Sequence, residues 1–187
     1  MKRFVEIIII LTTVVGCQKV KELSVPEKEA YLTIGDSISN QVQAVLLSNV
    51  SQKIQESGVV QAIEFCSEKA LFFTDSLSVN HQVKIQRLTD RNRNPNNGLQ
   101  SEMDQKIWNE FRLNPKNNQQ VFEDNGSVFY YKTISMGMPA CLRCHGDKET
   151  DIEPETRAYI QMKYPNDLAT GYELGTLRGM WKMEWKR

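Results

Sequence analysis

The chain has 187 residues, of which 40% are hydrophobic and 25% are charged. This composition is typical of one globular domain of ordinary size and excludes both a disordered chain and a multi-span membrane protein. The 23 basic and 23 acidic side chains cancel, so the net charge gives no support for nucleic acid or an anionic membrane surface as a partner.

The N-terminus is similar to a bacterial lipoprotein signal. A short basic segment precedes an uncharged apolar run at residues 7–15. The run suits the core of a secretory signal and is too short to span a bilayer. It leads into Val14-Val15-Gly16-Cys17, which resembles the motif where the lipoprotein peptidase cuts before a lipidated cysteine. The pattern predicts a signal peptide over residues 1–16, a lipid on Cys17 and a polar tether over residues 17–29.

This N-terminal pattern predicts where the protein resides. Export and lipidation place it outside the cytoplasm, on the periplasmic side, anchored to a membrane by its acyl chains. The globular part, residues 30–187, is then in water. The alternatives are a plain secretory signal without a lipid and a buried N-terminal strand.

Apolar residues at helical spacing predict two consecutive helices near the start of the globular part. The first covers about residues 26–57 and ends at Gly58, since glycine is common just after helix C-termini. The second is shorter and carries Ile63 and Cys66 on its apolar stripe.

The remaining elements are predicted from alternation, capping residues and turn residues. In chain order they are a strand at 82–88, a turn-rich loop at 90–98, a helix capped by Ser101, two hairpin strands at 120–122 and 127–135, a loop, a helix at 154–163 and a final strand at 177–185. This order predicts an α+β fold with an antiparallel sheet.

One motif carries specific chemistry. Cys141-Leu142-Arg143-Cys144-His145 matches C-x-x-C-H, the attachment motif of c-type haem. Two thiols a short turn apart can add to the two vinyl groups of one porphyrin, and the adjacent neutral imidazole can reach the iron as proximal ligand. The motif therefore predicts one covalent haem c bound by Cys141 and Cys144, with His145 on the iron.

Three other chemistries compete for these cysteines. Cys141 and Cys144 are also compatible with a redox-active disulfide or with a plain structural disulfide. Together with Cys66 and His145 they offer the ligands of a Cys₃His zinc site. Adjacent Cys144 and His145 fit one tetrahedral ion poorly, so the haem interpretation is favoured over zinc.

The sequence around the motif resembles a family of exported single-haem c-type proteins with a PAS-like fold. The family is catalogued as a haem-binding domain of unknown function and also occurs as the sensor half of membrane histidine kinases and chemoreceptors. The segments that carry the resemblance are Ile63-Glu64-Phe65-Cys66, Arg93-Asn94-Pro95-Asn96-Asn97, the stretch from Gly137 to Asp147, Tyr164-Pro165-Asn166-Asp167, Ala169, Gly171-Tyr172 and Leu177-Arg178-Gly179. The resemblance implies an antiparallel sheet flanked by helices, with a long N-terminal helix.

Cys66 is the thiol that the other assignments leave over, and an unpaired cysteine in an exported protein calls for an explanation. It is either a small buried hydrophobe or the second axial ligand of the iron. The resemblance implies a His/Cys-ligated haem whose cysteine comes from the helical segment before the sheet, where Cys66 stands. The alternative sixth ligands are His81 and a methionine, and an open site is the remaining alternative. The methionines of the C-terminal half are Met136, Met138, Met162, Met180 and Met183.

Arginines are candidates for the haem propionates, because guanidinium groups bind carboxylates with two charge-assisted hydrogen bonds. Arg91, Arg93 and Arg178 are the candidates in this sequence. Arg93 and Arg178 are favoured because they fall inside segments that resemble the family.

Two functions follow from the sequence. The first is redox sensing or electron transfer by a membrane-anchored haem protein, and the second is a haem-based sensor of NO or CO. The chain carries only one histidine besides His145, which disfavours an enzyme that needs acid–base groups. No kinase or membrane segment follows the haem motif, so the predicted partner is a separate redox or signalling protein.

Overall fold

The computed structural model describes residues 22–187, apart from the side chains of residues 68–73. The predicted signal peptide and Cys17 lie outside the described residues. Within the described range, no helix combines the length and the hydropathy that a bilayer crossing requires.

Two helices form a hairpin at the start of the domain. α1 (Val25–Ser57) and α2 (Val59–His81) are separated by Gly58, whose positive φ of 87° is easily adopted only by glycine. Glu27 caps the first turn of α1, since its carboxylate accepts from the Ser24 amide at 2.9 Å. The predicted long first helix and shorter second helix are confirmed. α1 starts within the segment predicted as a tether.

Four antiparallel strands form one sheet in the order β1-β4-β3-β2. The strands are β1 (Lys84–Leu88), β2 (Gln119–Asp124), β3 (Ser127–Ser135) and β4 (Leu177–Lys186). The last strand lies between the first and the third, so that Met183 pairs with Ile85 on one side and with Tyr130 on the other. The α+β prediction with an antiparallel sheet is confirmed, and β4 is one of the two inner strands of the sheet.

The sheet has a hydrophobic core on each face because successive side chains of a strand point to opposite sides. Tyr130 and Trp181 pack with α1 on one face. Tyr131 and Met180, their chain neighbours, pack on the other face against α3 (Glu102–Leu113). The α1–α2 hairpin and α3 therefore cover opposite faces of the sheet.

The segment between β3 and the next helix was predicted as a loop, and this prediction was wrong in part. It contains a short helix, α4 (Pro139–His145), before α5 (Pro154–Lys163). Pro139 starts α4 with a preset helical φ, and the Gly146 amide donates to the Leu142 carbonyl at 2.8 Å at its end. Seven residues are too few to show a helical period, which is why the sequence pattern missed this helix.

Candidate haem site

A cavity of about 540 Å³ lies between the α1–α2 hairpin and the sheet, with α4 as part of its wall. This volume is within the range of ligand sites in proteins. Its lining residues include Leu46, Leu47, Val50 and Ile54 of α1, Ala62, Ile63 and Cys66 of α2, Arg87 and Leu88 of β1, Gly179 and Trp181 of β4, and Cys141, Cys144 and His145 of α4. The cavity thus brings Cys66 to the C-x-x-C-H motif from a distant part of the chain.

The short helix α4 explains how the motif presents three groups to one cavity. Residues three and four apart lie on the same face of an α-helix. Cys141, Cys144 and His145 have this spacing, and all three line the cavity. Neither of the two intervening residues lines the cavity, and Arg143 is exposed.

The ring of His145 has a defined orientation. Its Nδ1 lies 2.7 Å from the Ala169 carbonyl oxygen. A carbonyl oxygen can only accept, so Nδ1 carries the proton and Nε2 keeps its lone pair for a metal. Burial, together with the positive charges of Arg178 and Arg93, holds the pKa of His145 well below its usual range. The imidazole is therefore neutral, as an iron ligand must be.

The cavity is electropositive. Arg87, Arg93 and Arg178 line it, and no Asp or Glu does so among the described residues. Arg93 is neutralised by Asp167, to which Nε and Nη2 donate at 3.1 and 3.0 Å. Arg178 has a buried Nε without a hydrogen-bond partner in the described part of the chain. Two guanidinium groups, those of Arg87 and Arg178, are thus available for carboxylates of a ligand.

Arg87 is the site residue that the sequence analysis missed. It follows Val83 and Ile85 at the period of two that marks one face of a strand. Both of those residues are buried, and Arg87 stands opposite Trp181 in the sheet register. Because Arg87 continues the apolar alternation of Val83 and Ile85, the sequence places a charged side chain on the buried face of a strand. Such a charge indicates a site residue.

Two of the thiols in the cavity, those of Cys66 and Cys144, lie in surroundings that favour the protonated form. Burial raises the pKa of Cys66, although the charges of Arg87 and Arg93 oppose this effect. Burial likewise raises the pKa of Cys144 to about 11. Cys66, Cys141 and Cys144 form no disulfide. In the described part of the chain, no group of three or more His, Cys, Asp or Glu side chains is arranged to hold a bare metal ion.

The structure separates the alternative iron ligands. His81 ends α2, forms a hydrogen bond with Gln41 at 3.0 Å and is absent from the cavity lining. Met136 and Met138 line the cavity. The other three methionines named above do not: Met162 is exposed, and Met180 and Met183 lie in the two cores of the sheet.

The predicted arginines also separate. Arg93 and Arg178 line the cavity, whereas Arg91 does not. Arg91 instead donates from Nε to the Leu168 carbonyl at 3.2 Å and from Nη2 to the Thr170 carbonyl. Arg91 therefore binds the backbone of the loop that contacts His145, and not the cavity.

The chain matches known proteins over most of its length. The sequence model of the Tll0287-like family matches residues 21–185. The crystal structure of the cyanobacterial haem protein Tll0287 has a similar fold, with a TM-score of 0.67 and 21% sequence identity. That match covers 84% of this chain and 96% of the other. No curated protein shows significant similarity.

The family match includes the whole cavity and the segments on which the resemblance was based. The prediction of a PAS-like fold of this family is confirmed by the structural match. The chain therefore belongs to the Tll0287-like family of PAS-like c-type haem proteins.

Proposed function

We propose that the chain carries one covalent haem c and acts in redox sensing or electron transfer. The observation that carries this proposal is the meeting of Cys66, Cys141, Cys144 and His145 in one electropositive cavity. A haem iron held there supplies one-electron chemistry between Fe(III) and Fe(II).

Cys141 and Cys144 attach the porphyrin. Addition of each S–H across a vinyl C=C bond would form the S–C bond and place the hydrogen on the other vinyl carbon, with no oxidant or reductant consumed. The two thiols lie nearly one helical turn apart on α4, and both face the cavity. Met136 and Trp181 supply apolar wall on the sheet side.

His145 and Cys66 are the proposed axial ligands. Because Nδ1 of His145 donates its proton to the Ala169 carbonyl, Nε2 keeps the lone pair that would bind the iron. Cys66 reaches the cavity from α2, a different element from the one that carries His145. A thiolate is a strong electron donor that favours Fe(III), so we expect a reduction potential well below that of a His/Met cytochrome.

Arg87 and Arg178 are the proposed propionate partners, since their charges have no counter-charge in the cavity lining. Arg93 also lines the cavity. However, its Nε and Nη2 donate to the Asp167 carboxylate, and its Nη2 also donates to the Cys144 carbonyl at 2.6 Å. We therefore assign Arg93 chiefly to holding α4 in place, with propionate contact as a secondary role.

We propose a location outside the cytoplasm, with a lipid on Cys17 as the membrane anchor. The support is the sequence pattern that ends at Val14-Val15-Gly16-Cys17. We further propose a separate redox or signalling protein as partner and no catalytic activity, since the described cavity lining offers no carboxylate as acid or base.

A sensor of NO or CO is the second candidate. Its support is that Ala62 and Ile63, the other α2 residues in the cavity lining, offer no replacement for the Cys66 sulfur. Displacement of that sulfur would leave a coordination position for a diatomic ligand.

Potentiometric titration of the purified holoprotein, with and without CO, tests the proposal. Electron transfer or redox sensing predicts one reversible one-electron transition with the same midpoint in both titrations. Because CO binds Fe(II) and not Fe(III), a gas sensor predicts a midpoint that rises with CO concentration. Absence of any haem transition contradicts both functions.

A further inference from the structure

One arginine holds the backbone segment that orients His145. Arg91 donates from Nε to the Leu168 carbonyl at 3.2 Å and from Nη2 to the Thr170 carbonyl. The carbonyl between these two, that of Ala169, lies 2.7 Å from Nδ1 of His145. Of three successive carbonyls, the outer two accept hydrogen bonds from Arg91 and the middle one accepts from the His145 imidazole. Arg91 therefore holds the backbone on both sides of the Ala169 carbonyl.

Arg91 is itself held in place from several directions. Its guanidinium carbon lies 4.3 Å from the centre of the Tyr172 ring, and the Tyr172 amide donates to the His145 carbonyl at 3.0 Å. Its own amide donates to Thr89 Oγ1 at 3.2 Å, and its carbonyl accepts from Arg178 Nη1 at 3.4 Å. These contacts join the end of β1 to the loop behind the imidazole, so that the guanidinium has a defined place.

The ends of the same loop segment have their own attachments. Asp167 pairs with Arg93 at 3.0 Å, and the Gly171 amide donates to the Gly146 carbonyl at 2.7 Å. Within the segment, the Leu168 amide donates to the Asn92 carbonyl at 3.2 Å and the Ala169 amide donates to Asp167 Oδ1 at 3.0 Å. Loss of the Arg91 side-chain donors therefore frees the Leu168 and Thr170 carbonyls and loosens the aim of the carbonyl between them, without detaching the segment from α4.

We propose that Arg91 is a positioning residue that tunes the iron through His145. By fixing the Leu168 and Thr170 carbonyls, it keeps the Ala169 carbonyl aimed at Nδ1. A hydrogen bond at Nδ1 raises the basicity of a metal-bound imidazole, which favours Fe(III). The proposal deepens the proposed function and rests on His145 being an iron ligand.

Arg91→Lys is the test variant because it keeps the positive charge and removes the rigid two-pronged donor. The chain has two histidines, so ¹⁵N-histidine labelling of the reduced holoprotein gives signals from His145 and His81 alone. We expect the Nδ1–H of His145 to exchange with solvent about tenfold faster, the factor that corresponds to one hydrogen bond of ~1.4 kcal/mol. We also expect the midpoint potential to rise.

Two references make the result specific. Arg112→Lys makes the same change at an exposed position at the end of α3, outside the candidate haem site, and should alter neither quantity. The His81 signal should keep its wild-type exchange rate, because His81 lies at the end of α2 and its hydrogen-bond partner is Gln41, at 3.0 Å.

Three outcomes overturn the proposal. Unchanged exchange at His145 means that Arg91 does not position the Ala169 carbonyl. Equally accelerated exchange at His81 means a general loosening of the protein. Faster exchange at His145 with an unchanged potential means that the hydrogen bond does not tune the iron. If spectroscopy shows that His145 does not bind iron, the proposed function fails separately, and the exchange rates still report on the loop.

Discussion

The Tyr131 hydroxyl donates to Asp104 Oδ1 at 2.6 Å, on the face of the sheet opposite the candidate haem site. Asp104 is completely buried, and Lys182 Nζ lies 2.9 Å from the same oxygen. Its other oxygen, Oδ2, accepts from the backbone amides of Gln100 and Ser101. One carboxylate thus joins the first turn of α3 to β3 and β4.

Asp104→Asn should destabilise the protein strongly. The substitution removes the negative charge beside Lys182, whose side chain is only 12% exposed, and leaves its ammonium group without a counter-charge. We expect the free energy of unfolding at pH 7 to fall by about 3 kcal/mol, the lower end of the range for breaking a buried ion pair. Urea denaturation measures the change. Asp75→Asn, at an exposed position, is the matched control and should have little effect.

The same carboxylate predicts a pH dependence. Burial acts to raise the pKa of Asp104, but hydrogen bonds from Lys182 and Tyr131 outweigh it, so the pKa is lowered overall. A lowered folded-state pKa stabilises the protein above the unfolded-state value, about 3.9, and that stabilisation is lost as the pH falls through the folded-state pKa. The stability difference between wild type and Asp104→Asn should be constant above about pH 5 and shrink below about pH 4. A difference that does not shrink in acid would show that this ionisation is not the cause.

Covalent attachment predicts a haem that survives denaturation. The wild-type protein should keep its colour on a denaturing gel, and acidified butanone should not extract the haem. Replacement of both Cys141 and Cys144 by serine should abolish the retained colour. Cys66→Ser is the control and should keep the covalent haem, since Cys66 is assigned to the iron and not to the porphyrin. Extraction of haem from the wild type would contradict the prediction.

Cys66→Ala tests the second axial ligand. Loss of the thiolate should abolish the low-spin thiolate features in the EPR spectrum of the oxidised protein. It should raise the reduction potential by at least ~100 mV, about 2.3 kcal/mol for one electron. Met136→Leu is the matched control, because Met136 is a buried sulfur-containing residue of the same cavity. If Met136→Leu changes the spectrum and Cys66→Ala does not, methionine is the ligand and Cys66 is core packing.

Cys17→Ser tests the membrane anchor. The variant should appear in the soluble fraction or remain as an uncut precursor, whereas the wild type should sediment with membranes. Mass spectrometry of the mature N-terminus then decides between the lipoprotein and the plain secretory signal. An unmodified mature chain that begins at any residue other than Cys17 would be incompatible with lipidation.

The sequence predicted the elements whose signals are local. The helix at 154–163 coincides with α5, and the two hairpin strands flank the predicted turn at Asn125 and Gly126. α4 was missed because seven residues show no helical period. The place of β4 between β1 and β3 depends on pairing between distant segments, which no local pattern records.

The same distinction holds for the candidate site. The C-x-x-C-H motif is a local pattern, so the sequence alone identifies it. Arg87 was missed because its approach to the cavity depends on which face of β1 is covered. The Ala169 carbonyl is a backbone group, and no side-chain pattern shows where a backbone oxygen points. The sequence makes Arg91 a candidate for the haem propionates. Its contacts in the structure instead place it on the loop that contacts His145, outside the cavity lining.

The length of α1 determines how far the cavity lies from the N-terminal end of the domain. The first turn is bound to the C-terminal end of β4, where Glu27 pairs with Arg187 and the rings of Tyr31 and Trp185 are 5.3 Å apart. The cavity lining begins farther along α1, at Gln43, and continues past Val50. From Val25 to Val50 the helix rises by about 38 Å. If Cys17 carries a lipid and the cavity holds a haem, as proposed, the length of α1 would contribute to the distance between the membrane and the haem. A redox partner confined to the lipid would then lie roughly a helix length from the haem. A partner with a domain of its own outside the membrane could contact the haem site directly.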